Sequence, residues 1–345
     1  MNMHLLDPLF ISLKPLLNGT KNIIIQMHIN PDGDAVGASL ALSQYLHKLG
    51  FNNTVVAPNL FPSFLKWMAF SNQIIIGTER PQIVKNLYEN ADLIFILDFN
   101  AIHRAGDLIG GLISTTKAPI VMIDHHLQPE LYTNISISTH EVSSTSELIF
   151  HLIRANNDLA LLDKSIAECL YVGIMTDTGS FSYSSNTPET YHVVADLVST
   201  GINVEVIHQL VYNTYSEKRL RLLGYCINDK LRVFPEFGAS YISLSKSELK
   251  HFNHKVGDTE GIVNYGLSID VVCLTALFTE REGRVRISFR SKGNFDVNLF
   301  ARNHFSGGGH KNASGADSLE NLESTIRKFE ELLPLYKDQI TSSLK

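Results

Sequence analysis

Residues 22–49 read NIIIQMHINPDGDAVGASLALSQYLHKL, and this stretch decides the fold class of the chain. The run 22–27 is short, apolar and rich in β-branched side chains, which is typical of a buried strand. After a polar turn at 28–34, apolar residues recur at helical spacing over 35–49, and Gly50 ends the pattern. The stretch therefore predicts a strand, a turn and a helix, the first repeat of an α/β sheet.

Two later apolar runs repeat this arrangement. Residues 93–97 (LIFIL) end at Asp98 and residues 120–123 (IVMI) end at Asp124, just as the first run ends at His28. Continuous apolar runs that alternate with helical patterns indicate a parallel sheet with helices on both faces. Because ligands bind beyond the carboxyl ends of the strands in open sheets of this class, the three polar residues predict where a site lies.

The pattern changes in the last third of the chain to alternating strands, at 239–244, 271–279 and 285–290, followed by a glycine-rich loop and a terminal helix over 318–333. We predict an N-terminal domain over 1–190, a helical linker over 191–225 and a C-terminal domain over 226–345. The predicted fold class is α/β. It combines a doubly wound, mostly parallel sheet with a smaller α/β domain that has a mixed sheet, and an active-site cleft lies between the domains.

Composition excludes some classes of protein. The 345 residues include 29 Lys and Arg against 35 Asp and Glu, a formal charge of −6. Proteins that coat long duplex by bulk charge are strongly basic, so this class is excluded, whereas a small site for a short anion is compatible. Three scattered cysteines fit a reducing compartment, and we recognise neither a leader peptide nor an apolar run of about 18 residues. We therefore expect a soluble, cytoplasmic protein without a membrane partner.

The polar residues that follow the strands have the chemistry of metal ligands. The turn HINPDGD (28–34) and the run DHH (124–126) bring imidazoles and carboxylates together, and Asp124 can orient a neighbouring His. Taken singly, an Asp-Gly turn with a helix cap at Asp34 explains the first motif, and capping or turns explain Asp98 and Asp177. Together the motifs supply six candidate ligands: His28, Asp32, Asp34, Asp98, His125 and Asp177.

This ligand set indicates the kind of cation. Carboxylates and imidazoles without thiolates suit hard or borderline divalent cations such as Mn²⁺ or Mg²⁺. Six ligands exceed what one catalytic cation needs, and they suffice for two cations roughly 3.5–4 Å apart, a spacing that serves phosphoryl chemistry.

A second group of candidates lies in the predicted C-terminal domain. Consecutive glycines let backbone N–H groups approach an anion, and neighbouring cationic side chains add donors. A flexible loop before a helix and a solvated strand end explain the same residues equally well. The candidates are Arg290, Arg302, Asn303, Gly307, Gly308, Gly309 and His310.

The motif set HINPDGD, Asp98, DHH (124–126), TDTGSF around Asp177 and GGGH ending at His310 resembles the DHH phosphoesterase superfamily with its DHH-associated C-terminal domain. The resemblance covers residues from about 20 to about 335. Size and motif order are most similar to the nanoRNase/pAp phosphatase branch, whose members include proteins called exopolyphosphatase-related. In this family the first predicted domain is catalytic and the second binds substrate.

The resemblance implies a site for two divalent cations, Mn²⁺ with Mg²⁺ as the alternative. One cation is assigned to His28, Asp32 and Asp98, and the other to Asp34, Asp98, His125 and Asp177, so that Asp98 bridges them. Catalytic roles, around the cations or toward a phosphate, are implied for Asp98, Asp124, His126 and Arg104. Substrate-binding roles are implied for Arg290, Arg302, Asn303, Gly307, Gly308, Gly309 and His310.

The implied activity is metal-assisted hydrolysis of short oligoribonucleotides to 5′-mononucleotides, and of pAp to AMP and phosphate. The implied partners are short single-stranded RNA, pAp or a dinucleotide, without long duplex DNA, and a homodimer is implied as well.

Three other functions stay open at this point. A pApA or cyclic-dinucleotide phosphodiesterase shares the motifs. A pyrophosphatase or polyphosphatase of the superfamily carries a Ser-Arg-Lys clamp, whereas here the order is Arg290-Ser291-Lys292 beside a GGGH loop. A non-catalytic nucleotide sensor is expected to have lost a metal ligand, and none is missing.

Overall fold

The computed structural model describes residues 6–182 and 187–343, and the chain folds as two units, Met1–Thr214 and Tyr215–Lys345. Each unit has its own six-stranded sheet and its own apolar core. The domain limits expected from the sequence, at 1–190, 191–225 and 226–345, stay a prediction. No helix of the described residues is both long and apolar enough to cross a membrane.

The first unit contains the predicted parallel sheet. Its strands are β1 (Ile23–Met27), β2 (Asn53–Ala57), β3 (Ile75–Ile76), β4 (Leu93–Leu97), β5 (Ile120–Asp124) and β6 (Ile135–Ser138). Their order in the sheet is β3-β2-β1-β4-β5-β6, and all neighbouring pairs are parallel. Strands β1, β4 and β5 are buried along their whole length, because their apolar side chains enter cores on both faces of the sheet.

Helices cover both faces, as the sequence predicts for a doubly wound sheet. Alternate residues of β1 separate the cores: Ile23 and Ile25 pack into one core and Ile24 into the other. The helices are α1 (Asp7–Leu17), α2 (Gly33–Lys48), α3 (Pro81–Glu89), α4 (Gly106–Thr115), α5 (Thr145–Ala155), α6 (Lys164–Asp177), α7 (Pro188–Ser199) and α8 (Val204–Tyr212). Short 3-10 turns lie at Ser63–Leu65, Ser71–Gln73, Ile102–Ala105 and Leu159–Leu161.

The turn after β1 differs in one detail from expectation. The sequence suggests Asp34 as the cap of the following helix, but the cap is Asp32, whose Oδ1 accepts the N–H groups of Asp34 and Ala35 at 3.1 Å each. Because the helix starts two residues earlier, the carboxylate of Asp34 lies inside the protein, where it is 1% exposed.

The second unit contains the predicted mixed sheet. Its strands are β7 (Arg232–Phe234), β8 (Ala239–Leu244), β9 (Leu274–Arg281), β10 (Arg284–Ser291), β11 (Ser306–Gly309) and β12 (Ala313–Ser318). The order is β11-β12-β10-β9-β8-β7, with only the β8–β9 pair parallel. The helices are α9 (Glu217–Tyr225), α10 (Lys246–His251), α11 (Asn264–Leu267), α12 (Val297–His304) and α13 (Leu322–Ser342), with a π-helical turn at Cys226–Lys230.

The glycine-rich stretch was expected to be a loop, and this expectation is wrong for residues 306–309. They form the edge strand β11, paired with β12. The backbone of Gly307 packs closely against Ala301 of α12, since a Cβ there would lie 3.0 Å from the Ala301 side chain. A strand of glycines therefore fits where bulkier residues would not.

Candidate metal centre

The polar residues predicted to form a site meet at the carboxyl edge of the first sheet. His28 follows β1, Asp98 follows β4, Asp124 ends β5, and Asp177 ends α6. Among the described residues of the first unit, three clusters have ligand atoms within 4.8 Å of one another: His28 with Asp32 and Asp98, Asp34 with His125 and Asp177, and Asp98 with Asp124 and His126. These are the candidate ligands and neighbouring residues that the sequence predicted.

The first cluster lies around the imidazole of His28. Its Nδ1 donates to the Ile29 carbonyl at 2.8 Å, because a carbonyl oxygen can only accept. The other ring atom, Nε2, lies 3.3 Å from Asp98 Oδ2 and 3.8 Å from Asp32 Oδ2. Nε2 is buried and has no hydrogen-bond partner among the described residues. One ring nitrogen and two carboxylate oxygens thus face one another, each with a lone pair available. Ligand atoms of this kind bind divalent cations.

The second cluster surrounds His125. Its Nε2 lies 3.4 Å from Asp98 Oδ1, 3.7 Å from Asp34 Oδ2 and 3.3 Å from Asp177 Oδ2. Asp98 therefore directs one carboxylate oxygen toward His28 and the other toward His125. This carboxylate lies between the two clusters.

Asp98 adopts a backbone conformation that suits this position. Its φ of 65° is left-handed, a region that only Asn, Asp and a few other non-glycine residues tolerate. Such strain is frequent where a side chain must be aimed at a functional site.

The third cluster pairs His126 with Asp124. His126 Nδ1 donates to Asp124 Oδ1 at 2.7 Å, and the backbone N–H of His126 donates to Asp124 Oδ2 at 2.9 Å. Both oxygens of this fully buried carboxylate are therefore used to hold one imidazole. Burial raises the pKa of Asp124 to about 6, and the charge of His125 opposes the shift.

The carboxylates draw positive charge into the site. Burial raises the pKa of Asp34 well above its usual range, and the nearby charge of Asp98 adds to the shift. Burial also acts to raise the pKa of Asp98, but the adjacent imidazoles of His125 and His28 outweigh it and hold that pKa well below its usual range. Burial tends to lower the pKa of His125, yet Asp177 and Asp98 raise it to about 10. Cationic groups are thus stabilised here, as a metal centre requires.

The sequence analysis missed the residues that hold these carboxylates. The first turn of α5 donates two backbone N–H groups to Asp34, from Thr145 at 2.6 Å and from Ser146 at 2.8 Å. Thr145 Oγ1 also donates to Asp98 Oδ1 at 2.9 Å. The N–H contacts to Asp34 could not be predicted, because every residue carries the same backbone donor and such donors leave no pattern in a sequence.

Arg104 lies beside this site. The backbone oxygen of Arg104 accepts the N–H of Ile29 at 2.7 Å, which ties its 3-10 turn to the loop after β1. Its guanidinium is half-buried, and its charge acts to lower the pKa values of His28 and Asp124. The position is suited to contact with an anion.

The candidates of the second unit form a separate local arrangement. Asn298 Oδ1 accepts from Arg302 Nε at 3.1 Å and from the N–H of Gly309 at 3.0 Å, so Asn298, which the sequence did not single out, joins two of them. Gly307 and Gly308 belong to β11, and His310 begins the turn to β12 with an N–H donated to Ala313 at 2.8 Å. Asn303 is exposed on α12.

Arg290 lies on β10, where it pairs in register with Ala313 of β12. Its Nη1 donates to the Phe289 carbonyl at 2.9 Å. Its Nε is buried with no hydrogen-bond partner among the described residues.

Comparison with known proteins identifies relatives of this chain. Residues 22–174 match the DHH family, N-terminal domain, and residues 239–339 match the DHHA1 domain. A Streptococcus mutans protein named "Probable bifunctional oligoribonuclease and PAP phosphatase NrnA" is 30% identical over 306 residues, covering 88% of this chain and 91% of that protein. This chain belongs to the DHH phosphoesterase family. DHH phosphoesterases are metal-dependent hydrolases of phosphoester bonds, and this chain carries the acidic and imidazole clusters for that chemistry.

Two further relatives of this DHH phosphoesterase cover nearly its whole length. The "Bifunctional oligoribonuclease and PAP phosphatase NrnA" of Bacillus subtilis is 26% identical over 326 residues, covering 92% of this chain and 95% of that protein. The crystal structure of an exopolyphosphatase-related protein from Bacteroides fragilis is 40% identical, with a TM-score of 0.89 over 96% of this chain and 97% of that one. The resemblance inferred from the sequence motifs is therefore confirmed.

Proposed function

We propose that this DHH phosphoesterase uses two divalent cations to hydrolyse short oligoribonucleotides to 5′-mononucleotides, and pAp to AMP and phosphate. The observation that carries the proposal is the position of Asp98, whose two oxygens point to the separate imidazole clusters of His28 and His125. The names of the relatives from Streptococcus mutans and Bacillus subtilis support the substrate class.

The residues present fit the cations. His28 Nε2 is buried, without a hydrogen-bond partner among the described residues, and lies between two carboxylates. One cation is assigned to His28, Asp32 and Asp98, and the second to Asp34, Asp98, His125 and Asp177. We favour Mn²⁺ over Mg²⁺ because Mg²⁺ prefers oxygen ligands alone, whereas this set includes imidazoles.

Bound cations of this kind stabilise charge on a phosphoryl group and lower the pKa of water. The side chains of the protein orient the substrate and fix the position of the His126 ring proton. Asp124 holds the Nδ1 proton of His126, so Nε2 is the ring atom assigned to the substrate: it accepts a proton in the neutral ring and donates to a substrate oxygen only from the doubly protonated ring. The guanidinium of Arg104 is assigned to a non-reacting phosphate, where its fixed charge favours an anionic ligand.

The second unit is assigned to nucleotide binding. Asn298 holds the Arg302 side chain and the Gly309 backbone together, so a cation and backbone donors lie close to each other. The remaining residues assigned to this role are Arg290, Asn303, Gly307, Gly308 and His310.

The proposal also covers the exclusion of duplex DNA as a substrate, the cellular location and the oligomeric state of the enzyme. The formal charge of −6 disfavours long duplex DNA as a substrate. The three cysteines are buried and free, which fits a cytoplasmic location. The family resemblance further leads us to propose a homodimer, which light scattering of the purified protein would test.

A product assay tests the proposed activity. Metal-stripped protein is refilled with Mn²⁺ and offered pAp, pApA, a 5′-phosphorylated pentaribonucleotide, cyclic di-AMP and pyrophosphate. We expect mononucleotides from pApA and the pentamer, and AMP with phosphate from pAp. Phosphate release from pyrophosphate alone would indicate a pyrophosphatase, and nucleotide binding without turnover would indicate a sensor.

Replacing Asp124 with asparagine is expected to lower kcat by about 10- to 100-fold. An amide can accept only through its oxygen, so either the bond from the ring Nδ1 or the bond from the backbone N–H of His126 is lost, and the ring is held less firmly. Steady-state kinetics on the pentaribonucleotide measure the effect. Asp107→Asn is the matched control, since Asp107 is exposed in the first turn of α4, and we expect it to be neutral. A folded Asp124→Asn variant with unchanged kcat would remove Asp124 from the mechanism.

A further inference from the structure

The buried carboxylate of Glu147 has no part in the proposed chemistry. Glu147 lies in the first turn of α5 and is 1% exposed. A buried charge is costly unless hydrogen bonds compensate for it, so this residue needs an explanation.

A single oxygen of Glu147 receives several donors. Oε2 accepts the backbone N–H of Ser143 at 3.0 Å, the Ser143 hydroxyl, and Thr190 Oγ1 from α7 at 3.0 Å. Oε1 faces His151 Nε2 at 3.6 Å. In an ordinary capping box the carboxylate binds the N–H of the capping residue, here Ser144, but Glu147 binds the residue before it. Glu147 therefore fixes the chain just ahead of α5.

The first turn of α5, which follows directly, hydrogen-bonds to two of the candidate metal ligands. Thr145 and Ser146 donate their backbone N–H groups to Asp34, and the Thr145 hydroxyl donates to Asp98. These donors point at the carboxylates only while the segment entering α5 keeps its path, and Ser143 is the anchor of that path. Hydrogen bonds thus join α7 to Glu147 and Glu147 to Ser143, and the backbone from Ser143 leads directly to the donors of the metal centre at Thr145 and Ser146.

We propose that Glu147 is a positioning residue of the metal centre, which acts through Ser143 and the first turn of α5 on Asp34 and Asp98. The inference rests on the proposed function for the identity of the bound cation. Residues that orient metal ligands in this way typically change metal affinity or activity by about 10- to 100-fold when they are replaced.

Three variants test this role, with the metal alone as the probe. Glu147→Met keeps the length of the side chain and removes every acceptor. Glu147→Gln keeps one oxygen for the donors that Oε2 now accepts, and its amide can donate toward His151. Ser143→Ala removes only the hydroxyl. Glu189→Gln is the matched control, because Glu189 faces the other nitrogen of His151 at 3.8 Å and pairs with Arg154, and no contact joins it to Ser143 within the described residues.

Electron paramagnetic resonance of free Mn²⁺ measures the dissociation constant of each folded variant, and thermal unfolding verifies folding. We expect Glu147→Met to raise the Kd for Mn²⁺ by about 10- to 100-fold and to lower kcat with little change in KM. Ser143→Ala should raise the Kd by about 2- to 10-fold, whereas Glu147→Gln and Glu189→Gln should stay near wild type.

A purely structural role would lower the unfolding temperature of Glu147→Met and leave the Mn²⁺ affinity of the folded protein unchanged, which would overturn the proposal. If Glu147→Met does not fold, wild-type affinity in Ser143→Ala would overturn it instead. Equal losses of Mn²⁺ affinity in Glu189→Gln and Glu147→Met would also overturn the proposal. The titration uses no nucleotide, so a wild-type protein that binds Mn²⁺ but cleaves no RNA would contradict only the proposed substrate.

Discussion

Replacing Asp98 with asparagine is expected to lower hydrolysis of short oligoribonucleotides by at least about 10³-fold, because removal of one electrostatic group from such a site already costs about 10²–10³. The carboxylate faces both imidazole clusters, so its loss affects both proposed cations at once. Asparagine tolerates the left-handed backbone at this position, whereas alanine would add strain to the loss of the ligand. Asparagine is therefore the cleaner substitution.

The measurement is kcat on the pentaribonucleotide, together with the number of Mn²⁺ ions bound per chain. Asp158→Asn is the matched control, since Asp158 is partly buried in the same unit, accepts from the Tyr45 hydroxyl at 2.6 Å and contacts none of the candidate ligands among the described residues. We expect the control to keep its activity while losing about 1 kcal/mol of unfolding free energy. An Asp98→Asn variant with wild-type kcat would refute the bridging role.

Gly173→Ala is expected to lower the free energy of unfolding by about 1–3 kcal/mol and to weaken Mn²⁺ binding about tenfold or more. Gly173 lies in α6 where α2 and α5 approach it. A Cβ at this position would overlap Ser146 Oγ and lie 2.7 Å from Asp34 Oδ1. The added methyl group must therefore displace the carboxylate or the α5 turn that holds it. Chemical denaturation and Mn²⁺ titration measure the two effects.

Gly111→Ala is the control for this substitution. Gly111 is exposed in α4 and has open space around the position of a Cβ. Alanine there should stabilise the protein by up to about 1 kcal/mol, because alanine is the better helix former. If Gly173→Ala were as stable as Gly111→Ala and bound Mn²⁺ normally, the close approach of α6 to Asp34 would have no functional consequence.

The strands of the first sheet and the residues at their ends could be predicted because they leave a clear pattern. Runs such as 93–97 are apolar throughout, since both faces of the sheet are covered, and the polar residue that follows marks the carboxyl edge. His28, Asp98 and Asp124 were recognised in this way. Their meeting at one edge follows from the parallel direction of the strands.

Other features could not be predicted because they depend on contacts between distant segments. The donors to Asp34 are backbone groups of α5, more than 100 residues away in sequence, as with the Ser146 contact at a separation of 112. Gly173 and Glu147 likewise act through neighbours that only the folded chain supplies. The strand β11 was missed because glycine has a low strand propensity, and tertiary packing against α12 overrides it.

The central claim is that two cations share Asp98, and diffraction at the manganese absorption edge from crystals soaked in Mn²⁺ tests it most directly. We predict two anomalous peaks roughly 3.5–4 Å apart. One peak should lie against His28, Asp32 and Asp98, and the other against Asp34, Asp98, His125 and Asp177. A single peak, or two peaks without Asp98 between them, would contradict the two-cation account.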